Sequence, residues 1–263
     1  MNRIDEQFMK LKEEGKKAFI PFITAGDPHL GATKEFIHTL DECGSHIIEL
    51  GIPFSDPIAD GETIQNANVR ALKNPIDLDK IFSLVEEVRP MTKAALVFLI
   101  YSNMIYHYNP VNFFRRCQEV GVDGVIVPDM PMEEIEEFES IAKEYNIHMI
   151  RLIAPTSTDR VALIADGAKG FLYCVSSLGV TGTRTELTTD FDEMFSEIQK
   201  VAIIPTAIGF GITTPKQVSQ IKNYTDGVIV GSALVKLIEE KGETATKDIK
   251  EFVEQMIAEL EVI

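Results

Sequence analysis

Chemistry in this chain starts with a carboxylate in the wrong company. Glu49 stands between Ile48 and Leu50 in the apolar run His46–Leu50. A carboxyl group there loses its water, so its proton is held more tightly and it suits acid/base work at neutral pH. A purely structural carboxylate, tied to a neighbouring donor, is the alternative reading of the same residue. The segment that follows, Glu49 to Gln65 (ELGIPFSDPIADGETIQ), adds Asp56, Asp60, two further glycines after the strand and two prolines. It is longer than the usual strand-to-helix connection of about 2–6 residues, and long loops are often functional. Asp56-Pro57 alone is turn chemistry; two carboxylates above a buried third is a more specific pattern.

A second constellation is made of glycines. Gly179-Val-Thr-Gly182-Thr, Gly209-Phe-Gly211 and Gly231-Ser232 follow three successive apolar runs. Glycine lets the backbone approach an anion closely, and N–H groups at a helix start favour a phosphate. Any one of these pairs is ordinary turn material; three at consecutive strand ends predict a phosphate site.

Other chemistries are excluded. Gly209-Phe-Gly211 lacks the third glycine of a dinucleotide fingerprint, and neither a phosphate-loop motif nor a nucleophile-elbow motif occurs. The histidines at 29, 38, 46, 107 and 148 have no metal-ligand spacing, so no metal is expected. His46 and His148 lie in strand patterns and read as satisfied core residues. Cys43, Cys117 and Cys174 are odd in number and well separated, which fits reduced thiols in a cytoplasmic protein. The chain has 263 residues, 25 Lys+Arg against 41 Asp+Glu, and a net charge of −16. That balance weighs against nucleic acid and against an anionic membrane surface. No signal-peptide core opens the chain, and the longest apolar stretch, Ala94 to Tyr101, falls far short of the roughly 20 residues of a membrane span.

The elements that must position these groups alternate along the chain. Runs at Phe19–Ile23, His46–Leu50, Ala95–Ile100, Gly124–Val127, His148–Ile153, Gly170–Val175, Ile203–Ile208 and Gly227–Val230 are continuously apolar. Such runs are strands buried on both faces of a parallel sheet. Between them, Ile81, Phe82, Val85 and Val88 share a helical stripe, as do Ile135, Phe138, Ile141 and Tyr145. Thr214-Pro215 and Asn109-Pro110 predict helix starts, and Gly44 and Gly121 predict left-handed ends. The acidic run Met132–Glu139 reads as a solvated helix face. Without a linker or a composition shift, these elements predict an α/β fold of one domain over residues 1–263: a (β/α)8 TIM barrel. A doubly wound open sheet is the runner-up. Two additions are expected, an N-terminal helix at residues 3–14 plugging the barrel base and an extra helix at 62–73 after strand two.

Taken together, these residues resemble a known family. Pro21-Phe-Ile-Thr-Ala-Gly-Asp-Pro28, Glu49-Leu-Gly-Ile-Pro-Phe-Ser-Asp-Pro57, Ala59-Asp-Gly61, Gly121-Val-Asp-Gly124, Gly179-Val-Thr-Gly182, Gly209-Phe-Gly-Ile212 and Gly231-Ser-Ala233 are similar, in order and spacing, to the tryptophan synthase alpha chain family. The resemblance implies a carbon–carbon lyase, splitting indole-3-glycerol phosphate into indole and glyceraldehyde 3-phosphate. It implies Glu49 and Asp60 as catalytic residues, Glu49 handling protons and Asp60 holding the indole N–H. Phe22, Ile64, Val127, Tyr173, Thr181 and Phe210 would contact the substrate, with Thr181 on a closing loop that meets Asp60. Gly182, Gly211, Gly231 and Ser232 would hold the phosphate. Ser176-Ser-Leu-Gly179 departs from the Arg and Ala that many relatives carry before the glycine. No lysine is placed for an imine, so no cofactor is expected on this chain; pyridoxal phosphate would belong to a beta chain partner in an alpha2-beta2 complex, receiving indole directly. That partner would dock on Pro53, Asp56 and the loop from Tyr101 to Pro110, including Tyr106 and Tyr108. Two other readings stay open: a sugar-phosphate isomerase on the same barrel, and a phosphate-binding relative that regulates a beta chain without turnover.

Overall fold

The apolar runs are buried on both sides where they form strands of a closed parallel sheet, but the run expected over Ile203–Ile208 becomes a strand only from Thr206, Ile203 being 89% exposed. The computed structural model describes residues 1–154, 160–175, 198, 200–209 and 211–261. The strands are β1 (Ala18–Thr24), β2 (Ile47–Gly51), β3 (Ala95–Leu99), β4 (Gly124–Ile126), β5 (His148–Met149 and Arg151–Ile153), β6 (Leu172–Val175), β7 (Thr206–Gly209) and β8 (Gly227–Val230). β1 pairs with both β2 and β8. The first piece of β5 pairs with β4 and the second with β6, so the order returns on itself through this one strand. The open sheet is thereby ruled out and the barrel stands. The expected single strand over His148–Ile153 is broken at Ile150, whose N–H donates to Val125 O at 2.9 Å as pairing passes from one neighbour to the next.

Alternation along each strand divides the core in two. Ile20, Phe22, Val97, Ile126, Tyr173 and Ala207 pack inside the barrel. Their neighbours Phe19, Ile23, Leu96, Phe98, Val125 and Cys174 pack outward against the helices. The N-terminal helix α1 (Arg3–Glu14) sends Ile4, Phe8 and Leu11 into the inner cluster, closing the base as expected. Asn2 starts it, accepting from Ile4 N–H and donating to the carbonyls of Asp123 and Asn146. Gly124 makes room for the plug, since a Cβ there would lie 2.9 Å from Ile4 Cδ1.

Helices α2 (Leu30–Glu42), α3 (Glu62–Ala71) and α4 (Leu78–Val88) follow β1 and β2, α3 being the expected addition. Beyond β3 the expected loop is in fact a short helix, α5 (Ser102–Tyr108). It buries only Ile105, too little to leave an amphipathic stripe in the sequence. Asn109, at φ 74°, ends it and caps α6 (Pro110–Val120) by accepting from Asn112 N–H. α7 (Met132–Glu144) exposes Glu133, Glu134, Glu136 and Glu137, as the acidic run predicts. Glu139 is the exception, gripping buried Arg151 through two contacts of 2.7 Å. Among the described residues, further helices are α8 (Val161–Ala165), α9 (Pro215–Ile221), α10 (Ser232–Lys241) and α11 (Thr246–Glu261). Thr214 and Gln217 form a reciprocal cap on α9, and Gly44 and Gly121 take left-handed conformations at φ 91° and 88°. His46 accepts from Phe19 N–H, and His148 lies 2.9 Å from Asp5, so both are satisfied.

Candidate active site

The inner face of β2 puts Glu49 inside the barrel, in register with Phe22 on β1 and Val97 on β3. It is 1% exposed, and its Oε2 has no hydrogen-bond partner. Burial pushes its carboxyl up to about 8, with the charge of Asp60 adding to the rise. At neutral pH Glu49 therefore holds its proton and can act as an acid. Thr24, opposite Gly51 in register on β1, also buries a hydroxyl with no partner.

Asp60 closes the long loop, one residue before the Gly61 that starts α3. It is 5% exposed, and its carboxyl is pushed up to about 6, mainly by burial. Hydrogen bonds from the Tyr101 hydroxyl and from Asn68, whose Nδ2 lies 3.3 Å from Oδ2, pull it back down. The two carboxyls thus part company, Glu49 neutral and Asp60 ionised over the range between. Pairs separated in this way divide acid and electrostatic roles.

The loop is braced around Asp60. Gln65 on α3 donates to Asp60 O at 2.7 Å, Asn68 Oδ1 accepts from Phe54 N–H at 3.3 Å, and the Tyr101 hydroxyl accepts from Ala59 N–H at 3.0 Å. The Phe54 ring stacks on Tyr101 with centroids 5.1 Å apart. Below the loop, Arg70 of α3 grips buried Asp27 through contacts of 2.8 and 2.9 Å and reaches Glu239 of α10 at 2.8 Å. One guanidinium therefore joins the helix behind Asp60 to the helix that begins at Gly231.

Of the residues expected at the substrate, Phe22, Ile64 and Tyr173 are brought together with Glu49 and Asp60. Phe22 and Ile64 belong to the inner cluster. Tyr173 faces inward on β6, and its hydroxyl is pushed up by burial and by the charges of Glu49 and Asp60. Gly51 and Gly209 leave space for these rings: a Cβ at 51 would lie 2.5 Å from Phe22 Cζ, and one at 209 would lie 2.5 Å from the Tyr173 oxygen. Val127 is a correction, since it packs in the outer cluster with Val125. The adjacent Ile126, in register with Leu99, is the inward residue there. Asn68 and Tyr101 are additions. Nothing in their types or spacing marks them, because their link to Asp60 runs through space.

Next to β1 on the side away from β2, Gly231 follows β8 and caps α10, and Ser232 is its buried first residue. Gly211 takes φ 79°, a conformation that favours glycine. Thr181, Gly182 and Phe210 lie outside the described residues, as does Ser176 to Gly179. Among the described residues, no group of three or more His, Cys, Asp or Glu is placed to hold a metal ion, and no helix is long and apolar enough to cross a membrane.

The expected docking face carries a groove of about 430 Å³ lined by Pro53, Phe54, Asn103, Met104 and His107 among others. Asp56 is exposed on this side. Tyr106 packs on Phe138, and Tyr108 packs on Phe82 and donates to Asp79 at 2.5 Å, so both aromatics serve the fold.

Known proteins agree with this architecture. A family model described as tryptophan synthase alpha chain matches residues 8–262. The tryptophan synthase alpha chain of Thermoanaerobacter sp. (strain X514) is 48% identical over 238 residues, 90% of this chain and 91% of that one. That of Caldanaerobacter subterraneus subsp. tengcongensis is 45% identical over 256 residues, 96% and 97% of the two chains. Among solved structures, tryptophan synthase subunit alpha from Legionella pneumophila str. Paris superposes with a TM-score of 0.90 at 33% identity, covering 100% of both chains. A chain of the tryptophan synthase a2b2 complex of Pyrococcus furiosus does so at 0.86 with 41% identity, covering 92% of this chain and 99% of that one.

Proposed function

This chain belongs to the tryptophan synthase alpha chain family, and we propose that it is a lyase cleaving indole-3-glycerol phosphate to indole and glyceraldehyde 3-phosphate. The observation that carries the reading is the pair of buried carboxyls, Glu49 held neutral and Asp60 held ionised. Glu49 gives its proton to carbon C3 of the indole ring. The positive charge that develops toward the ring N–H is met by Asp60. The carboxylate left on Glu49 takes the proton of the hydroxyl on the adjoining carbon, the carbon–carbon bond breaks, and indole and aldehyde leave. Glu49 ends protonated, as it began, so no redox or imine cofactor is required on this chain.

The indole lies against Phe22, Ile64 and Phe210, with Tyr173 beside Glu49. The phosphate rests on backbone N–H groups of Gly182, Gly211 and Gly231 and on the Ser232 hydroxyl, where the start of α10 favours an anion. This neutral cradle is how a chain of net charge −16 accepts an anionic substrate. Thr181 sits on the loop that closes over the bound molecule. The chain works as one barrel domain over residues 1–263, in the cytoplasm, as the alpha subunit of an alpha2-beta2 complex. A beta chain bearing pyridoxal phosphate docks on the Pro53–Asp56 face and receives the indole.

The test is release of indole from indole-3-glycerol phosphate by the purified chain, with and without a beta chain. Slow release alone and faster release with the partner are expected. Isomerisation of a sugar phosphate offered in its place, with no indole released, would make it an isomerase, and no turnover of either substrate would leave a regulator. Ser232→Ala is expected to raise KM about tenfold with kcat little changed, because one hydrogen bond to the phosphate is lost in ground and transition states alike. Steady-state kinetics with the partner present check this.

A further inference from the structure

Two side chains outside the expected set decide where the charge of the site resides. Asn68, on the inner side of α3, is 4% exposed, and its amide has only one workable orientation. Phe54 N–H can only donate, so the Asn68 atom 3.3 Å from it is Oδ1. Nδ2 is thereby turned to Asp60 Oδ2, also at 3.3 Å, and an amide NH₂ can only donate. Tyr101 repeats the arrangement. Its hydroxyl accepts from Ala59 N–H at 3.0 Å, which leaves its proton for the hydrogen bond to Asp60. In both cases a backbone N–H of the same loop occupies the acceptor, and the donor faces the same carboxyl.

Two locked donors are matched by an acceptor without a proton. We propose that Asn68 and Tyr101 are positioning residues that keep Asp60 an anion, so that the resting site carries its proton on Glu49 and its charge on Asp60. This rests on the roles proposed above for the two carboxyls. Burial raises both carboxyls, and on Asp60 the two donors oppose that rise. Among the described residues, the other titratable groups facing Asp60 are Glu49 from β2 and Tyr173 from β6, and neither is positive at neutral pH. The two donors are what separates an acid from an anion in a pocket hostile to both charges.

The experiment is the pH dependence of indole release, from pH 5 to 9.5 with the beta chain present, for the wild type, Asn68→Ala, Asn68→Asp, Tyr101→Phe and the Asn68→Ala/Tyr101→Phe pair. The acid limb, set by Asp60 near pH 6, is expected to move to higher pH in each variant and furthest in the pair. At pH 7, kcat falls about tenfold for each donor removed, with KM changed less than about threefold. Asn68→Asp keeps the shape but cannot donate when ionised, so it falls at least as far as Asn68→Ala; a role in packing alone would leave it near the wild type. Tyr101→Phe retains the ring against Phe54 and guards against loss of fold. Acid limbs unmoved in Asn68→Ala and Tyr101→Phe, beside a normally active wild type, would overturn the proposal. A wild type that releases no indole at any pH would overturn the function instead.

Discussion

Glu49→Gln is expected to lower kcat for indole release by about 100- to 10,000-fold while leaving KM almost unchanged. A positioned general acid and base contributes on this scale, and the glutamine side chain has the same shape but neither gives nor takes the proton. Substrate binding is expected to survive because the phosphate cradle proposed at Gly231 and Ser232 does not use the Glu49 carboxyl. The same substitution is expected to make the protein more resistant to urea at pH 8 than the wild type. Glu49 keeps its proton up to about pH 8 in the folded chain, against 4.5 as its ordinary value. Between those values the folded state holds a proton that the unfolded state has released, so wild-type stability declines as pH rises through the window. The neutral amide has no such dependence. Urea melts at pH 5 and pH 8 check this: the advantage of the variant should grow from the first to the second. Ordinary turnover in Glu49→Gln would remove the acid/base role, and an equal stability difference at both pH values would remove the buried proton.

Asp60→Asn is the second large effect, a loss of about 100- to 1,000-fold in kcat. Stabilisation of charge that develops in the transition state is of this order in a dry site. The amide also replaces one carboxylate oxygen with an NH₂, which cannot accept from a donor facing it. The pH profile is expected to change at both ends. The acid limb near pH 6 disappears with the group that sets it, and the basic limb near pH 8 moves down, because the Asp60 charge is part of what holds the Glu49 proton. These are limbs of an interacting pair, and a change in one member moves both. Rate profiles recorded side by side decide the matter. A variant that keeps the acid limb would show that another group sets it.

Glu49 could be read from sequence because a carboxylate inside an apolar run violates the local pattern, and such violations mark function. The barrel was readable for the complementary reason, since eight apolar runs alternated with amphipathic ones. The same continuity hid which side each residue faces. A strand buried on both faces has no polar alternation to give its register, and so Val127 was expected inside where Ile126 stands. The break of β5 at Ile150 arises from closing the ring, a property of the whole sheet. Helix α5 is too short to show a period. Asn68 belongs to α3 and Tyr101 caps α5 just beyond β3, and each is an ordinary residue in its own neighbourhood. Only their convergence on Asp60 makes them functional, and convergence is a property of the fold.

Gly51 and Gly209 have a thermodynamic consequence. The Phe22 and Tyr173 rings occupy the very space that side chains at those positions would fill. Each ring is seated directly against main chain, which offers far fewer alternative rotamers than a flexible neighbour would. The walls of the cavity are therefore ordered when the barrel folds, and an arriving ring system finds its slot already shaped. Little conformational entropy remains to be lost at that point. Binding against these two rings should therefore be fast and only weakly dependent on temperature.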